Sequence, residues 1–289
     1  MSTDNSTTLQ SPLRYPGGKA FLCPYVETVL RVHKLRPHVF VEPFAGGASL
    51  SLHLLQQDAV DKIALFDRDP LVSGFWWSVF NADSWLLDKL DTAEISLDTW
   101  KALREQGIDG HKNNGWKCLF LNRTSFSGIL NRTAGPLGGM AQTSAYGIDC
   151  RFYRSTVHER IQHIAQFRDR VDAVDTCDWR VTLDRYRRRF QEESSSCFIY
   201  LDPPFFHKAK KLYNYVFNPE EHEALVEHLR EVEVPWLLSY DYCTEIEELF
   251  QRNGLHYTTV PVRYTSAKQN SPNRKTEIIA SKLRLPKET

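Results

Sequence analysis

The sequence predicts an α/β fold: a doubly wound, mostly parallel sheet with an antiparallel edge, interrupted by an inserted, mainly helical subdomain. Three observations predict it. Apolar strand-like runs alternate with helix-like runs at both ends of the chain, as crossover connections in a parallel sheet require. A glycine turn, "FAGGAS" (Phe44–Ser49), stands directly between the first such strand and the first such helix. Between the second and third strands lie residues 72–160, far more than one crossover helix needs.

Taken in order, residues 1–11 are polar, lack the apolar core of a signal peptide, and read as a disordered tail. "RYPGGK" (Arg14–Lys19) is a second glycine turn, opening a helix. Val39–Val41 are the first strand, Leu50–Leu55 an amphipathic helix, and "KIALFD" a second strand ending at Asp67. The insertion starts with aromatic helical segments, "GFWWSVFNADSWLLDKL". It continues as the glycine-, asparagine- and arginine-rich "FLNRTSFSGILNRTAGPLGGMAQTSAYGIDCRFYR", which suits contact better than a core. Val171–Val174 form a third strand. "CFIYL" forms a fourth, which Pro203 and Pro204 must end because proline cannot donate to a ladder. "NPEEHEALVEHLREV" is a helix with Asn218 as N-cap and Pro219 at its first position. "VPWLLSYD" is a fifth strand, and "LHYTTVPVRYT" and "KTEIIASKL" are an edge pair joined by "SAKQNSPNRK". The expected organisation is a tail at 1–11, a ligand-binding sheet domain from 12–71 and 161–289, and an insertion at 72–160.

Composition is that of a globular protein, 42% apolar and 25% charged, which excludes a mainly disordered chain. Lys+Arg and Asp+Glu are both 36, so no global charge points to a polyanionic partner and only local charge can. No apolar run is long enough to cross a membrane. Six scattered cysteines without a C-x-x-C pair argue against a zinc site and a disulfide framework, and for reduced thiols in the cytoplasm. His222 and His228 are six apart, not the four that would share a helix face, and read as a solvated surface rather than metal ligands. No metal is expected.

The ligand end of the sheet carries the functional signal. Glycines after the first strand let a ligand approach the backbone, and Asp67 ends the next strand, placed to accept from both hydroxyls of a ribose. Neither G-x-G-x-x-G nor a P-loop lysine is present, so a nucleoside ligand without phosphates fits better than NAD or ATP, and S-adenosylmethionine is such a ligand. Tyr15 would pack against it and Lys19 would meet its carboxylate. Asp202 stands at the carboxyl end of the fourth strand, inside a rigid Asp-Pro-Pro-aromatic corner.

Four pieces, "RYPGGK", "VEPFAGGAS", "NRTSFSG" and "YLDPPF", occur in the order found in the Dam-like D12 class of adenine-specific DNA methyltransferases, which the chain resembles from Leu13 to about Leu283. The resemblance implies a Rossmann-like methyltransferase core, a target-recognition insertion and S-adenosylmethionine as cofactor. It implies cofactor contacts from Tyr15, Lys19, Glu42, Phe44, Ala45, Gly46, Gly47, Asp67 and Asp202, with Asp178 of "CDW" at the acidic position that reads the cofactor's adenine. The catalytic residues implied are Asp202, Pro203, Pro204 and Phe205. Asp202 and the Pro203 carbonyl would accept the two N6 hydrogens of a flipped-out adenine and free its lone pair. Phe205, where many relatives have tyrosine, would stack on the base, worth ~1–3 kcal/mol.

Double-stranded DNA is the expected partner, and the family admits a cognate restriction endonuclease as another. "NRTSFSG" matches the family's DNA-contact segment, giving Asn122, Arg123, Ser125, Phe126 and Ser127. Local basic residues add Arg132, Arg151, Lys208, Lys268 and Arg274 as phosphate contacts. The stretch after "NRTSFSG" departs from that of GATC-specific members, so no recognition sequence is carried over. Two alternatives compete: an RNA methyltransferase acting on guanine N2, since Asp-Pro-Pro-Phe also occurs there, and a catalytically idle DNA-binding methylation sensor. The insertion and "RYPGGK" speak against the first, and the intact cofactor set and Asp202 against the second.

Overall fold

The computed structural model describes residues 9–261 and 276–286. Elements follow the chain as α1 (Cys23–Val32), β1 (Val39–Glu42), α2 (Ser49–Gln56), β2 (Lys62–Asp67), α3 (Pro70–Asn81), α4 (Asp83–Thr92), α5 (Leu97–Glu105), α6 (Gly110–Thr124) and α7 (Arg154–Ala165). The second half adds β3 (Val171–Thr176), α8 (Trp179–Arg189), β4 (Cys197–Leu201), α9 (Ala209–Leu212), α10 (Pro219–Arg230), β5 (Trp236–Asp241), α11 (Thr244–Arg252), β6 (His256–Pro261) and β7 (Thr276–Ser281). Helix starts are set by local chemistry. Asp69 accepts from the Leu71 amide before α3, whose first residue is Pro70. Asn218 and Glu221 form a reciprocal capping box at the head of α10.

Among the described residues the strands form one seven-stranded sheet in the order β3-β2-β1-β4-β5-β7-β6, parallel except where β7 pairs antiparallel with β5 and β6. Period-two alternation splits the core into two layers. Phe40, Ile63, Leu65, Phe198 and Tyr200 face a cluster shared with α1, α2 and α3, while Val39, Val41, Ala64, Phe66, Ile199 and Leu201 face another with α8, α10 and α11. Every residue of β1 and β4 is buried, as strands covered on both faces must be.

The helices of the inserted stretch share this core. Val72, Phe75, Trp76, Leu119, Phe120, Val157 and Ile161 lie in the same cluster as Phe40 and Leu65.

Two expectations are corrected here. Of the expected disordered tail, residues 1–8 lie outside the described residues, but residues 9–11 are tied down: the Leu9 amide donates to Gln56 Oε1 (2.7 Å), and Arg160 donates to the Ser11 carbonyl (3.2 Å). His222 is not on a solvated face. It is buried against β5, with Nδ1 at 2.8 Å from the Tyr240 hydroxyl, and burial pushes its pKa down to about 4. Among the described residues no helix is long and apolar enough to cross a membrane.

Candidate active site

Parallel strands present their carboxyl ends together, and here the ends of β1, β2 and β4 open on one cavity of about 830 Å³, counting its mouth. Glu42, Phe44, Ala45, Gly46, Gly47, Asp67, Asp202 and Pro204 line it, as do Tyr15 and Lys19 from the N-terminal turn. Of these, Tyr15 and Pro204 are 189 positions apart in the chain, yet they meet at one place.

The glycine turn is fixed from three sides. Asp67 Oδ2 accepts from the Gly46 amide (3.0 Å) and its Oδ1 from the Asp69 amide (2.9 Å). The indole of Trp76 donates to the Gly46 carbonyl (2.9 Å), so α3 reaches across to hold the turn. Glu42 Oε1 accepts from the Ser51 amide (2.9 Å), drawing the first turn of α2 back onto β1. Gly46 has φ +46°, and a Cβ there would stand 2.8 Å from the Tyr15 ring, so only glycine lets that ring lie on the turn. Burial pushes Glu42 up to about 8; burial, with Asp69 beside it, pushes Asp67 up to about 7. Both acids therefore titrate near neutrality.

At the end of β4, Asp202 is not solitary. The ammonium of Lys19, 4% exposed, lies 2.8 Å from Asp202 Oδ1, donates to the Gly17 carbonyl at 2.9 Å, and stands 3.9 Å from Glu277 of β7. Burial raises the Asp202 pKa, and Lys19 opposes the rise. Burial alone would lower the Lys19 pKa, but Asp202 and Glu277 outweigh it and hold the group protonated. Lys19 thus lines the cavity as the ion-pair partner of Asp202, a pairing the sequence did not announce.

The rest of the predicted set divides. Phe205 does not line the cavity; its ring packs on Gly17, where a Cβ would stand 2.9 Å from Cζ, and Lys19 Nζ lies 5.4 Å from its centroid. Pro203 is buried beneath the corner and Pro204 faces the cavity. Asp178 caps α8, accepting from the Arg180 amide at 2.9 Å, and its neighbour Trp179 is the one that lines the cavity.

"NRTSFSG" turns most of its polar groups inward. Asn122 is fully buried: Oδ1 accepts from the Arg14 amide (2.7 Å), and Nδ2 donates to the Gly128 carbonyl (2.7 Å) and the Arg14 carbonyl (3.3 Å). Ser125, also fully buried, accepts from the Trp100 indole at 3.0 Å. Arg123 is 4% exposed, and burial, with Arg160 and Arg14 nearby, lowers its pKa to about 10. These three are scaffold and not a DNA-facing surface, because α6 is buried on all sides over its last turns. Phe126, 60% exposed, and Ser127 are the two that protrude. Arg132, Arg151 and Lys208 are exposed, while Lys268 and Arg274 lie outside the described residues.

Sequence reasoning missed the far wall. Tyr213 stacks on Tyr15 at 5.9 Å and donates to the Pro16 carbonyl, Asn214 donates to Asp69 Oδ2 at 2.8 Å, and Tyr215 and Phe217 complete the lining. The run of aromatics in "KLYNYVF" was the available signal. It also missed that His207, far in sequence from Cys243 and Glu245, joins them to bring an imidazole, a thiol and a carboxylate within 4.8 Å of one another near the surface.

The mostly parallel sheet and the cavity at its strand ends make a Rossmann-like α/β ligand site. The sequence model of D12 class N6 adenine-specific DNA methyltransferases matches residues 15–264, and the chain belongs to that family. Its family reaction is methyl transfer to adenine N6 in DNA. Among curated proteins nothing matches. Similar solved structures include the methyltransferase domain of bacterial CtHen1-CN, at 9% identity over 91% of this chain and 100% of that one, with a TM-score of 0.37.

Proposed function

We propose that this chain transfers the methyl group of S-adenosylmethionine to N6 of an adenine flipped out of duplex DNA. The observation that carries the reading is the Lys19–Asp202 pair, set in the wall of the same cavity as the glycine turn. An exocyclic amine conjugated to a purine is a poor nucleophile. Lys19 holds Asp202 Oδ1, so Oδ2 is the oxygen that accepts one amino hydrogen, and the Pro203 carbonyl accepts the other. Nitrogen then moves toward tetrahedral geometry and its lone pair is freed, with the acceptors already fixed before the base arrives.

The lining fits the cofactor. Asp67 keeps a second lone pair on each oxygen for ribose hydroxyls, and Tyr15, Phe44 and Trp179 offer apolar surface to a nucleobase. When bound, S-adenosylmethionine supplies a methyl group on a sulfonium, a good leaving system that needs positioning more than activation. We assign residues 72–160 to target recognition, with Phe126 as the wedge beside the flipped site.

The test is methyl incorporation from a radiolabelled donor into duplex DNA and ribosomal RNA, followed by digestion to nucleosides. The expected product is N6-methyladenine from DNA alone. Label on guanine of RNA, or none on DNA, would overturn the reading.

A further inference from the structure

A second cavity, of about 800 Å³ counting its mouth, adjoins the first, with Asp69, Asn214 and Tyr215 lining both. Arg104 of α5, Lys117 of α6 and Arg132 of the following loop enter it. Lys117 is 7% exposed and donates to the Gln106 carbonyl. Arg104 donates to the carbonyls of Leu130 (2.7 Å), Asn131 (2.8 Å) and Ala134. Among the described residues, neutral carbonyls are thus the hydrogen-bond partners of both, and neither cation is hydrogen-bonded to a carboxylate. Asp69 is the one acid among the lining residues; it attracts Lys117, while its oxygens accept hydrogen bonds from the Leu71 amide and Asn214. Burial lowers the pKa of Arg104 and Lys117; Arg132 lowers that of Arg104 further, and Arg104 and Arg132 lower that of Lys117 further, with Asp69 opposing.

Resting on the reading that DNA is the substrate, we propose that this cavity seats a phosphate of the DNA backbone beside the target nucleotide, gripped by Lys117 and Arg132, with Arg104 adding charge. Three converging cations against a single carboxylate, Asp69, suit a phosphate, whose oxygens accept from several donors at once. The shared wall at Asn214 and Tyr215 places that contact next to the cavity of the Asp202 corner. The phosphate would fix where the strand lies, and the first cavity would take the base.

The test is DNA affinity against salt concentration for the full chain, for Arg132→Gln and for Arg132→Lys, an exposed position whose change leaves the fold intact. Arg132→Gln is expected to weaken DNA binding about 10-fold and to reduce the slope of log affinity against log salt by about 1, with Arg132→Lys restoring most of both. Affinity for S-adenosylmethionine is expected to be the same in all three. An unchanged slope in Arg132→Gln overturns the phosphate site and leaves the DNA reading standing. A wild-type chain that binds no DNA overturns that reading itself. Inorganic phosphate that raises the wild-type melting temperature only when Arg132 is present, without competing with DNA, assigns the cavity to a free phosphate and overturns the backbone contact.

Discussion

At the glycine turn after β1 the side chains of Glu42 and Asp67 hold backbone amides and still face a cavity. In Asn122–Gly128 the polar side chains also hold backbone, but they face the interior and leave Phe126 and Ser127 outside. Both segments are short, polar and conspicuous in sequence. The difference teaches that a polar motif is scaffold or surface according to what packs around its element, and α6 is enclosed whereas the strand ends are open.

The comparison breaks most sharply at the catalytic corner. Asp202→Ala is expected to cut methyl transfer by about 10²–10⁴-fold while the melting transition stays cooperative. Near-normal turnover in the purified variant would remove Asp202 from the mechanism. Next comes Asn122→Ala, which strands the Arg14 amide and the Gly128 carbonyl in the interior. Loss of about 2–4 kcal/mol in denaturant unfolding is expected, and a loss under about 0.5 kcal/mol would show that Asn122 is not a clamp.

A smaller effect is expected at the protruding side of the same motif. Phe126→Ala should leave stability within about 0.5 kcal/mol of the parent, and raise KM for DNA about 10-fold through lost stacking. A further effect, one of pH, concerns Glu42. Its folded-state pKa is about 8 against an ordinary 4.5, so between those values the folded chain keeps a proton that the unfolded chain releases. Stability therefore falls as pH rises through that window, by about 1 kcal/mol per pH unit from this group. Glu42→Gln is expected to flatten the wild-type decline between pH 5 and 8, and parallel curves would show that Glu42 is not the group responsible.

The sheet was legible because its punctuation is local. Proline after Asp202, the capping box at Asn218 and the glycines after β1 each stop or start an element within a few residues. The strand-end acids were legible for the same reason. The ion pairing of Lys19 was not legible because its partners, Asp202 and Glu277, are 183 and 258 positions away, and no spacing announces them. Asn122 and Arg123 were misjudged because α6 is buried from Asn114 to Thr124 and so has no apolar stripe to show which side faces in. Lys117 and Arg104 escaped notice as isolated cations, since only the fold brings them to Arg132.

The place of β7 between β5 and β6 orders the assembly of this sheet during synthesis. β6 leaves the ribosome before β7, and among the described residues its one ladder partner is β7, so it joins the sheet only once Thr276–Ser281 emerges and slots in beside β5. The same stretch delivers Glu277 to Lys19. A nascent chain thus gains its outermost strand and the third member of its charged corner in one late docking event, and cutting ahead of Thr276 would cost two strands instead of one.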